Sequence, residues 1–391
     1  MDFDKIIDRH GSNSYKWDSR PDAPSDTIAL WVADMDFHVC EPIMEALRKR
    51  VEHGVFGYTY VPDEYYEAID RWFTLYHGWS IVRSQVIYTS GVVPAISAII
   101  KALTEPGDKV LVQTPVYNCF FSSIRNNGCI ASESPLIIED DDTYRMDFDD
   151  LERRVADPKC KLMLLCNPHN PGGRVWTFDE LAQVASICAA HNVPVVSDEI
   201  HCEITFPHHD YTPFALASGQ CPWVACISPS KAFNTAGLQI ANIVCPDETM
   251  RIAIDKAINI NEVCDVNPFG VVALMAAYTP EGREWLDGMC DYVYSNYRLL
   301  HEMFTSHLPA FPVFRLEGTY LAWIDCRRLG IASEELEEEL IHNAHVWINA
   351  GSMYGTAGEG FIRINLACPQ SVLRTGLERL VAALAEYPLV K

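Results

Sequence analysis

Short apolar segments that alternate with helical segments are the feature that most limits how this chain can fold. The stretch 93–103 carries apolar residues at the i, i+3, i+4 and i+7 positions of an amphipathic helix, and it ends before a Pro-Gly pair. Six other segments are mostly continuous apolar runs, as expected for strands buried on both faces: 85–89, 109–113, 161–166, 193–197, 223–228 and 241–245. This alternation predicts an α/β fold with a doubly wound, mostly parallel central sheet.

The pattern changes near residue 280. Two long helical segments, 283–306 and 333–344, are separated and followed by a few strand-like segments, near 320–324 and 361–365. This second pattern predicts a smaller α+β domain. We therefore expect a large domain of residues 41–280 and a small domain made of residues 1–40 and 281–391.

The net charge of the chain limits the classes of partner that it can bind. The 391 residues include 30 Lys and Arg against 53 Asp and Glu, a formal net charge of −23 at pH 7. So acidic a surface repels phosphate backbones and anionic lipid, so we expect neither nucleic acid nor a membrane as a partner. The N-terminus is acidic where a secretory signal is basic, and no run of about 18 apolar residues is present. These features predict a cytoplasmic protein.

The 14 cysteines do not suggest a metal or redox site. They occur singly, mostly within apolar segments, and no pair has the C-x-x-C spacing. We expect reduced cysteines in the core and no metal.

Polar side chains follow nearly every predicted strand, at the sheet edge where α/β folds bind ligands. Lys231 is the most informative, because it follows an apolar strand and has Ser228, Ser230, Phe233 and Asn234 around it rather than charged residues. Burial disfavours the charged form of a lysine and so gives an amine that can react with an aldehyde. We predict that Lys231 is a reactive amine rather than an exposed loop residue.

Several common enzyme classes lack their signatures here. Ser228 and Lys231 form the S-x-x-K of serine acyl transferases, but the second motif is only approximated by Ser197-Asp198-Glu199 and no K-T-G is present. The chain also has no Walker loop, no G-x-G-x-x-G, no H-E-x-x-H and no G-x-S-x-G.

A phosphorylated cofactor that carries an aldehyde fits what remains. Gly91, followed by Val92 and Val93 at the start of a helix, offers backbone N–H groups and a positive helix end to a phosphate. Ser90, Ser228 and Ser230 can add hydroxyl donors.

Two further residues suit the ring of such a cofactor. Asp198 ends a buried strand, where a carboxylate needs a cationic partner such as a pyridinium nitrogen. Tyr117, in a turn after another strand, can lie flat against an aromatic ring.

Three motifs together carry a family resemblance: Asn167-Pro-His-Asn-Pro-Gly-Gly173, Ser197-Asp-Glu-Ile-His201 and Ser228-Pro-Ser-Lys-Ala-Phe-Asn-Thr-Ala-Gly-Leu-Gln239. Over essentially its whole length the chain resembles the fold-type I, pyridoxal-phosphate-dependent enzymes of the class I/II aminotransferase superfamily. The segment Trp31-Val-Ala-Asp-Met-Asp-Phe37 and the last two motifs are similar to cystathionine β-lyases of the MalY/PatB type. The resemblance implies a PLP-dependent transferase-like fold and pyridoxal 5'-phosphate as cofactor.

The same resemblance implies roles for individual residues. Lys231 matches the lysine that binds the cofactor, Asp198 the partner of the ring nitrogen, and Tyr117 the stacking aromatic residue. Asn170 and His201 match positions near the 3′ oxygen of the cofactor, although many aminotransferases have tyrosine in place of His201.

Two more positions concern the phosphate and the neighbouring subunit. Gln239 stands where aminotransferases usually place a phosphate-binding arginine. Tyr58 resembles a tyrosine that reaches the cofactor from the neighbouring subunit, so the resemblance implies a homodimer with its active sites at the interface.

Arg363 lies in an apolar strand, where an unpaired guanidinium is costly. Either an internal Asp or Glu balances it, or it binds the α-carboxylate of a substrate, as the resemblance implies. Asn170 and Ala33 are assigned to the same substrate site.

The expected reaction is β-elimination from L-cystathionine or a related S-substituted cysteine, which gives a thiol, pyruvate and ammonia. Transamination is the main alternative, because it uses the same lysine and carboxylate. A third hypothesis is a regulatory protein that contacts a transcription factor.

Overall fold

A seven-stranded sheet forms the centre of the molecule. The computed structural model describes residues 1–260, 262 and 265–390. The sheet has the strand order β2-β10-β9-β8-β7-β3-β4, with these bounds: β2 Val86–Thr89, β3 Lys109–Thr114, β4 Ile130–Pro135, β7 Cys160–Cys166, β8 Val195–Asp198, β9 Trp223–Ile227 and β10 Ala241–Val244. Only β10 runs antiparallel to its neighbours. The predicted α/β fold with a mostly parallel sheet is confirmed.

Helices cover the sheet and connect its strands. Their bounds are α1 Tyr15–Asp18, α2 Glu41–His53, α3 Asp63–His77, α4 Val92–Leu103, α5 Asn118–Asn126, α6 Phe148–Val155, α7 Phe178–Ala190, α8 Phe214–Ala217, α9 Glu248–Asn259, α10 Pro268–Ala277, α11 Pro280–His307, α12 Ser333–Glu339 and α13 Gln370–Leu384. The apolar stripe of α4, with Ile96, Ile99 and Ile100, packs into the core against the sheet. None of the helices in the described ranges is both long enough and apolar enough to cross a membrane.

A second, three-stranded sheet lies in the C-terminal third of the chain, in the order β11-β14-β13. The remaining strands are short: β1 Ile28–Ala29, β5 Ile137–Ile138, β6 Tyr144–Arg145, β11 Leu321–Asp325, β12 Val346–Trp347, β13 Asn349–Ala350 and β14 Phe361–Asn365. Strand β1 pairs with β12, so the N-terminal segment joins the C-terminal part of the chain. We propose that residues 1–40 and 281–391 form one domain and residues 41–280 the other.

Besides the two-residue strands, which the sequence did not predict, two longer elements differ from the prediction. The sequence analysis missed β4, because this edge strand is Ile-Ala-Ser-Glu-Ser-Pro and has no apolar run. The predicted helix 333–344 is divided, since α12 ends at Glu339 and the chain continues as one π-helical turn, Leu340–Ala344. Neither difference affects the edge of the sheet that carries the candidate site.

Candidate active site

A cleft of about 430 Å³ lies at the carboxyl ends of β2, β3, β7, β8 and β9. The α/β topology explains this position, because the loops after parallel strands meet at one edge of the sheet. Twelve of the residues predicted for the site line the cleft: Ala33, Ser90, Gly91, Val92, Val93, Tyr117, Asn170, Asp198, His201, Ser230, Lys231 and Arg363.

Lys231 lies in the loop after β9 and is partly buried. Its Nζ donates a hydrogen bond to the carbonyl oxygen of Ala33 at 2.5 Å. Burial and, to a smaller extent, the positive charge of Arg363 lower the pKa of Lys231 to about 8, although Asp34 and Asp198 act in the opposite direction. The side chain is therefore an amine that loses its proton easily near neutral pH.

Asp198 is the last residue of β8 and is buried. Its carboxylate accepts a hydrogen bond from the backbone N–H of Ile200 at 3.2 Å, and within the described ranges no cation lies within 4.0 Å of it. Burial raises the pKa of Asp198 to about 7. A cationic ring nitrogen fits this position, because it would supply the missing positive charge.

His201 is buried one turn beyond Asp198, and its ring packs edge-to-face with Tyr320 at 5.7 Å. Burial lowers the pKa of His201 well below its usual range, and the charges of Lys231 and Arg363 add to the effect. The imidazole is therefore neutral, and its Nδ1 has no hydrogen-bond partner in the described structure. It fits a polar ligand atom, although the predicted contact with a 3′ oxygen stays a prediction.

The residue predicted to stack on the ring and the glycine predicted to lie at the phosphate each precede a helix. Tyr117 immediately precedes α5, and burial raises the pKa of its phenol well above the usual range, so the ring is uncharged. Gly91 immediately precedes α4, and Val92 and Val93, which carry the first backbone N–H groups of that helix, line the cleft. This helix end suits a phosphate, as predicted from its sequence.

Ser228 differs from the other predicted phosphate ligands, because it does not line the cleft. Its hydroxyl donates to the carbonyl of Ile240 at 2.6 Å and accepts from the backbone N–H of Ser230 at 3.1 Å. Ser228 thus holds the loop that presents Ser230. Its direct contact with a phosphate stays a prediction, and Gln239, which also lines the cleft, adds no charge there.

Arg363 projects from the centre of β14 and is buried. Its guanidinium donates to Asn170 Oδ1 at 3.0 Å, to Asn349 Oδ1 at 2.6 Å and to the carbonyl of Trp31 at 2.8 Å. Within the described ranges no carboxylate lies within 4.0 Å of it, so the internal ion pair considered above is not found. The charge remains available for a ligand carboxylate.

Sequence analysis missed the residues that hold segment 31–37 over the cleft. Asn234 bonds Met35 and Phe37 through their backbone groups, Asn365 donates to the carbonyls of Val32 and Asp34 at 2.6 and 2.7 Å, and Tyr320 donates to Ala33 at 3.0 Å. The alternation of polar residues 363 and 365 within an apolar strand was a usable signal for Asn365.

Tyr58 lies outside the cleft, with 95% of its side chain exposed. Tyr60 lines a separate surface depression beside α4 and α9. The predicted contact of Tyr58 with the cofactor of a neighbouring subunit stays a prediction.

Comparisons with known proteins agree with this geometry. Residues 25–380 match the family model of aminotransferase class I and II. Cystathionine beta-lyase PatB of Bacillus subtilis is 39% identical over 98% of this chain and 100% of its own length. Protein MalY of Escherichia coli is 35% identical over 98% of this chain and 99% of its own.

Solved structures give the same result. Cystalysin from Treponema denticola, which contains a pyridoxal 5'-phosphate cofactor, is 35% identical with a TM-score of 0.94 over 98% of both chains. The PLP-bound C-S lyase from Staphylococcus hominis is 34% identical with a TM-score of 0.91 over 98% of this chain and 99% of its own. The site, the family match and these full-length similarities together establish that the chain belongs to the aminotransferase class I and II family, as its motifs predict.

Proposed function

We propose that the protein is a pyridoxal-phosphate-dependent C–S β-lyase that acts on L-cystathionine or related S-substituted L-cysteines. The observation that carries the proposal is the amine of Lys231, which has a lowered pKa and lies in one cleft with Asp198 and Arg363. A lysine, a carboxylate and an arginine so arranged can respectively bind an aldehyde, a ring nitrogen and an amino-acid carboxylate.

The residues of the cleft fit the cofactor from end to end. The start of α4 and Ser230 would hold the phosphate, Tyr117 the face of the ring, Asp198 the ring nitrogen, and Asn170 and His201 the 3′ oxygen. When bound, pyridoxal phosphate supplies the aldehyde for an amine and a ring that accepts the electrons left at Cα.

The chain's own residues then direct the reaction. Arg363 binds the α-carboxylate and so fixes the orientation of the substrate. The neutral amine of Lys231 removes the Cα proton, because its pKa of about 8 makes it a base near neutral pH. Asp198 would hold a proton at the ring nitrogen, because the positive charge of that nitrogen would favour the ionised carboxylate. A thiolate at Cβ can then leave.

We propose β-elimination rather than transamination because of the activities for which similar proteins are named. PatB is named a cystathionine beta-lyase, and the Staphylococcus hominis structure is described as a C-S lyase. We also propose a homodimer in which Tyr58 reaches the partner's site, since an exposed fraction of 95% leaves this ring free for an intermolecular contact.

Pyruvate release from L-cystathionine tests the reaction. Purified protein with added pyridoxal phosphate and no 2-oxo acid is expected to release pyruvate through many turnovers. A single stoichiometric burst that resumes when a 2-oxo acid is added would instead support the second candidate, an aminotransferase. That candidate is favoured by the family to which the chain belongs and uses the same Lys231 amine.

A further inference from the structure

An aromatic wall, formed by Tyr15, Trp31 and Trp347, stands at the rim of the cleft. Tyr15 and Trp31 line the same cleft as Lys231. The rings of Trp31 and Trp347 are stacked, with centroids 4.0 Å apart and planes 13° apart. The ring of Tyr15 is tilted by 50° from Trp31 at 5.1 Å, so the two form an open corner.

The wall is fixed from behind. The indole N–H of Trp31 donates to the carbonyl of Lys16 at 2.9 Å, and that of Trp347 donates to Glu337 at 3.0 Å. The guanidinium of Arg20 lies 5.8 Å from the ring centroid of Trp347. Because both indole N–H groups are bonded within the protein, Trp31 and Trp347 offer ring surface rather than donors to a ligand.

Tyr15 is the part of the wall that a ligand can cover. Its side chain is 68% exposed, which is unusual for an aromatic ring beside a buried cleft. Both carboxylates of the adjoining segment 31–37, Asp34 and Asp36, are bound to Arg9 at 2.7 Å. The rim therefore favours a flat, uncharged group.

The position of the wall relative to the substrate follows from two contacts. Arg363 donates to the carbonyl of Trp31 itself, and Lys231 donates to the carbonyl of Ala33, two residues further on. The groups that would hold the carboxylate and remove the Cα proton thus touch the segment that carries the Trp31 ring. Since Tyr15 and Trp31 line the same cleft as Lys231 and Arg363, a substituent on Cβ would share that cleft with the wall.

We propose that Tyr15 and Trp31 form a subsite for the leaving group, which selects L-cysteine thioethers with an aromatic S-substituent. The inference rests on the proposed function and specifies its substrate class. An aromatic ring in the open corner gains face or edge contacts with Tyr15 that a small alkyl group cannot make.

The test compares S-benzyl-L-cysteine with S-methyl-L-cysteine as substrates of the holoenzyme, with pyruvate release as the readout. For wild-type protein we expect the ratio of kcat/KM values to favour S-benzyl-L-cysteine. Tyr15→Ala should lower that ratio about 3- to 10-fold, the range that one aromatic contact is worth. Tyr15→Phe should keep it, because the ring and not the hydroxyl makes the contact.

Leu75→Ala is the matched control, since Leu75 is also 68% exposed but lies on α3, away from the cleft. It should leave the ratio unchanged. A ratio that is the same in wild-type protein and Tyr15→Ala would overturn the inference while leaving the lyase proposal in place.

Absence of pyruvate from either substrate would instead contradict the lyase proposal. The subsite is then tested by binding, from the change in cofactor absorption as each thioether is added. An equal ratio of the two dissociation constants in wild-type protein and Tyr15→Ala would exclude the subsite, and a 3- to 10-fold difference would support it.

Discussion

Two pairs of basic residues contact the same segment, residues 31–37, and they are balanced in opposite ways. On one side, the fully buried Lys16 lies 2.8 Å from a carboxylate oxygen of Asp36, and Arg9 lies 2.7 Å from both Asp34 and Asp36. On the other side, Lys231 and Arg363 donate only to carbonyl and amide oxygens. The first pair is neutralised within the protein and the second is not.

The difference separates a structural site from a chemical one. A buried cation with a carboxylate at hydrogen-bond distance is satisfied, and its removal leaves the carboxylate unbalanced. A cation whose hydrogen bonds go only to neutral oxygens can still bind an anionic ligand, or can lose its proton and react. Residue type alone does not distinguish Lys16 from Lys231, but the presence or absence of a carboxylate partner does.

Replacing each lysine gives the largest expected contrast. Lys231→Ala should lower kcat for pyruvate release by about 10³-fold or more, because the variant loses both its reactive amine and its base. The melting temperature of the cofactor-free protein should not fall, since no ion pair is broken. Steady-state kinetics and thermal unfolding of the same preparations measure both effects.

Lys16→Met is the matched substitution on the other side. It should lower the free energy of unfolding by about 3 kcal/mol, because Asp36 Oδ2 loses the Lys16 ammonium group while Oδ1 keeps Arg9 and Trp17. The folded fraction should retain its kcat. Appreciable lyase activity in Lys231→Ala, or a stable Lys16→Met without activity, would contradict the distinction.

Replacing Arg363 and Arg9 should give a smaller contrast between the two sites. Arg363→Gln should raise KM for every amino-acid substrate about 10- to 100-fold, the equivalent of losing a charged hydrogen bond of about 1.5–3 kcal/mol. Arg9→Gln should leave KM unchanged and lower the melting temperature instead. An unchanged KM in Arg363→Gln would remove this arginine from the substrate site.

The sequence was sufficient to predict the charged residues of the cleft, which are one half of this comparison. Lys231 and Asp198 are each a charged residue at the end of an apolar strand, and Arg363 is one inside such a strand, so local pattern and the cost of burial were enough to single them out. The fold class and the family were predictable for the same reason, since buried parallel strands and the motifs after them are local features.

The other half depends on distant contacts. Asn349 meets Arg363 through the pairing of β13 with β14, and Asn234 meets Met35 across 199 residues of sequence. No local pattern encodes such pairs. For Ser228 the local pattern was misleading in another way. Its motif indicates a phosphate ligand, but its hydroxyl is bonded to the carbonyl of Ile240.

The smallest expected effect concerns the pH at which Lys231 reacts. This pH reports directly on the absence of a carboxylate partner for the lysine. The rate at which cofactor-free protein takes up pyridoxal phosphate should rise with pH, with a midpoint near pH 8 rather than near the ordinary lysine value of 10.5, because only the neutral amine attacks the aldehyde. Stopped-flow absorbance measures the rate, and Nα-acetyl-lysine in parallel corrects for titration of the cofactor itself.

Substitutions of the neighbouring charged residues should move the midpoint of this pH profile in opposite directions. Arg363→Gln should move the midpoint to higher pH, because the positive charge of Arg363 disfavours the ammonium form of Lys231. Asp198→Asn should move it to lower pH, because the carboxylate favours that form. A midpoint that stays near 10.5, or that both variants leave in place, would mean that Lys231 is as well balanced as Lys16, and the contrast between the two sites would fail.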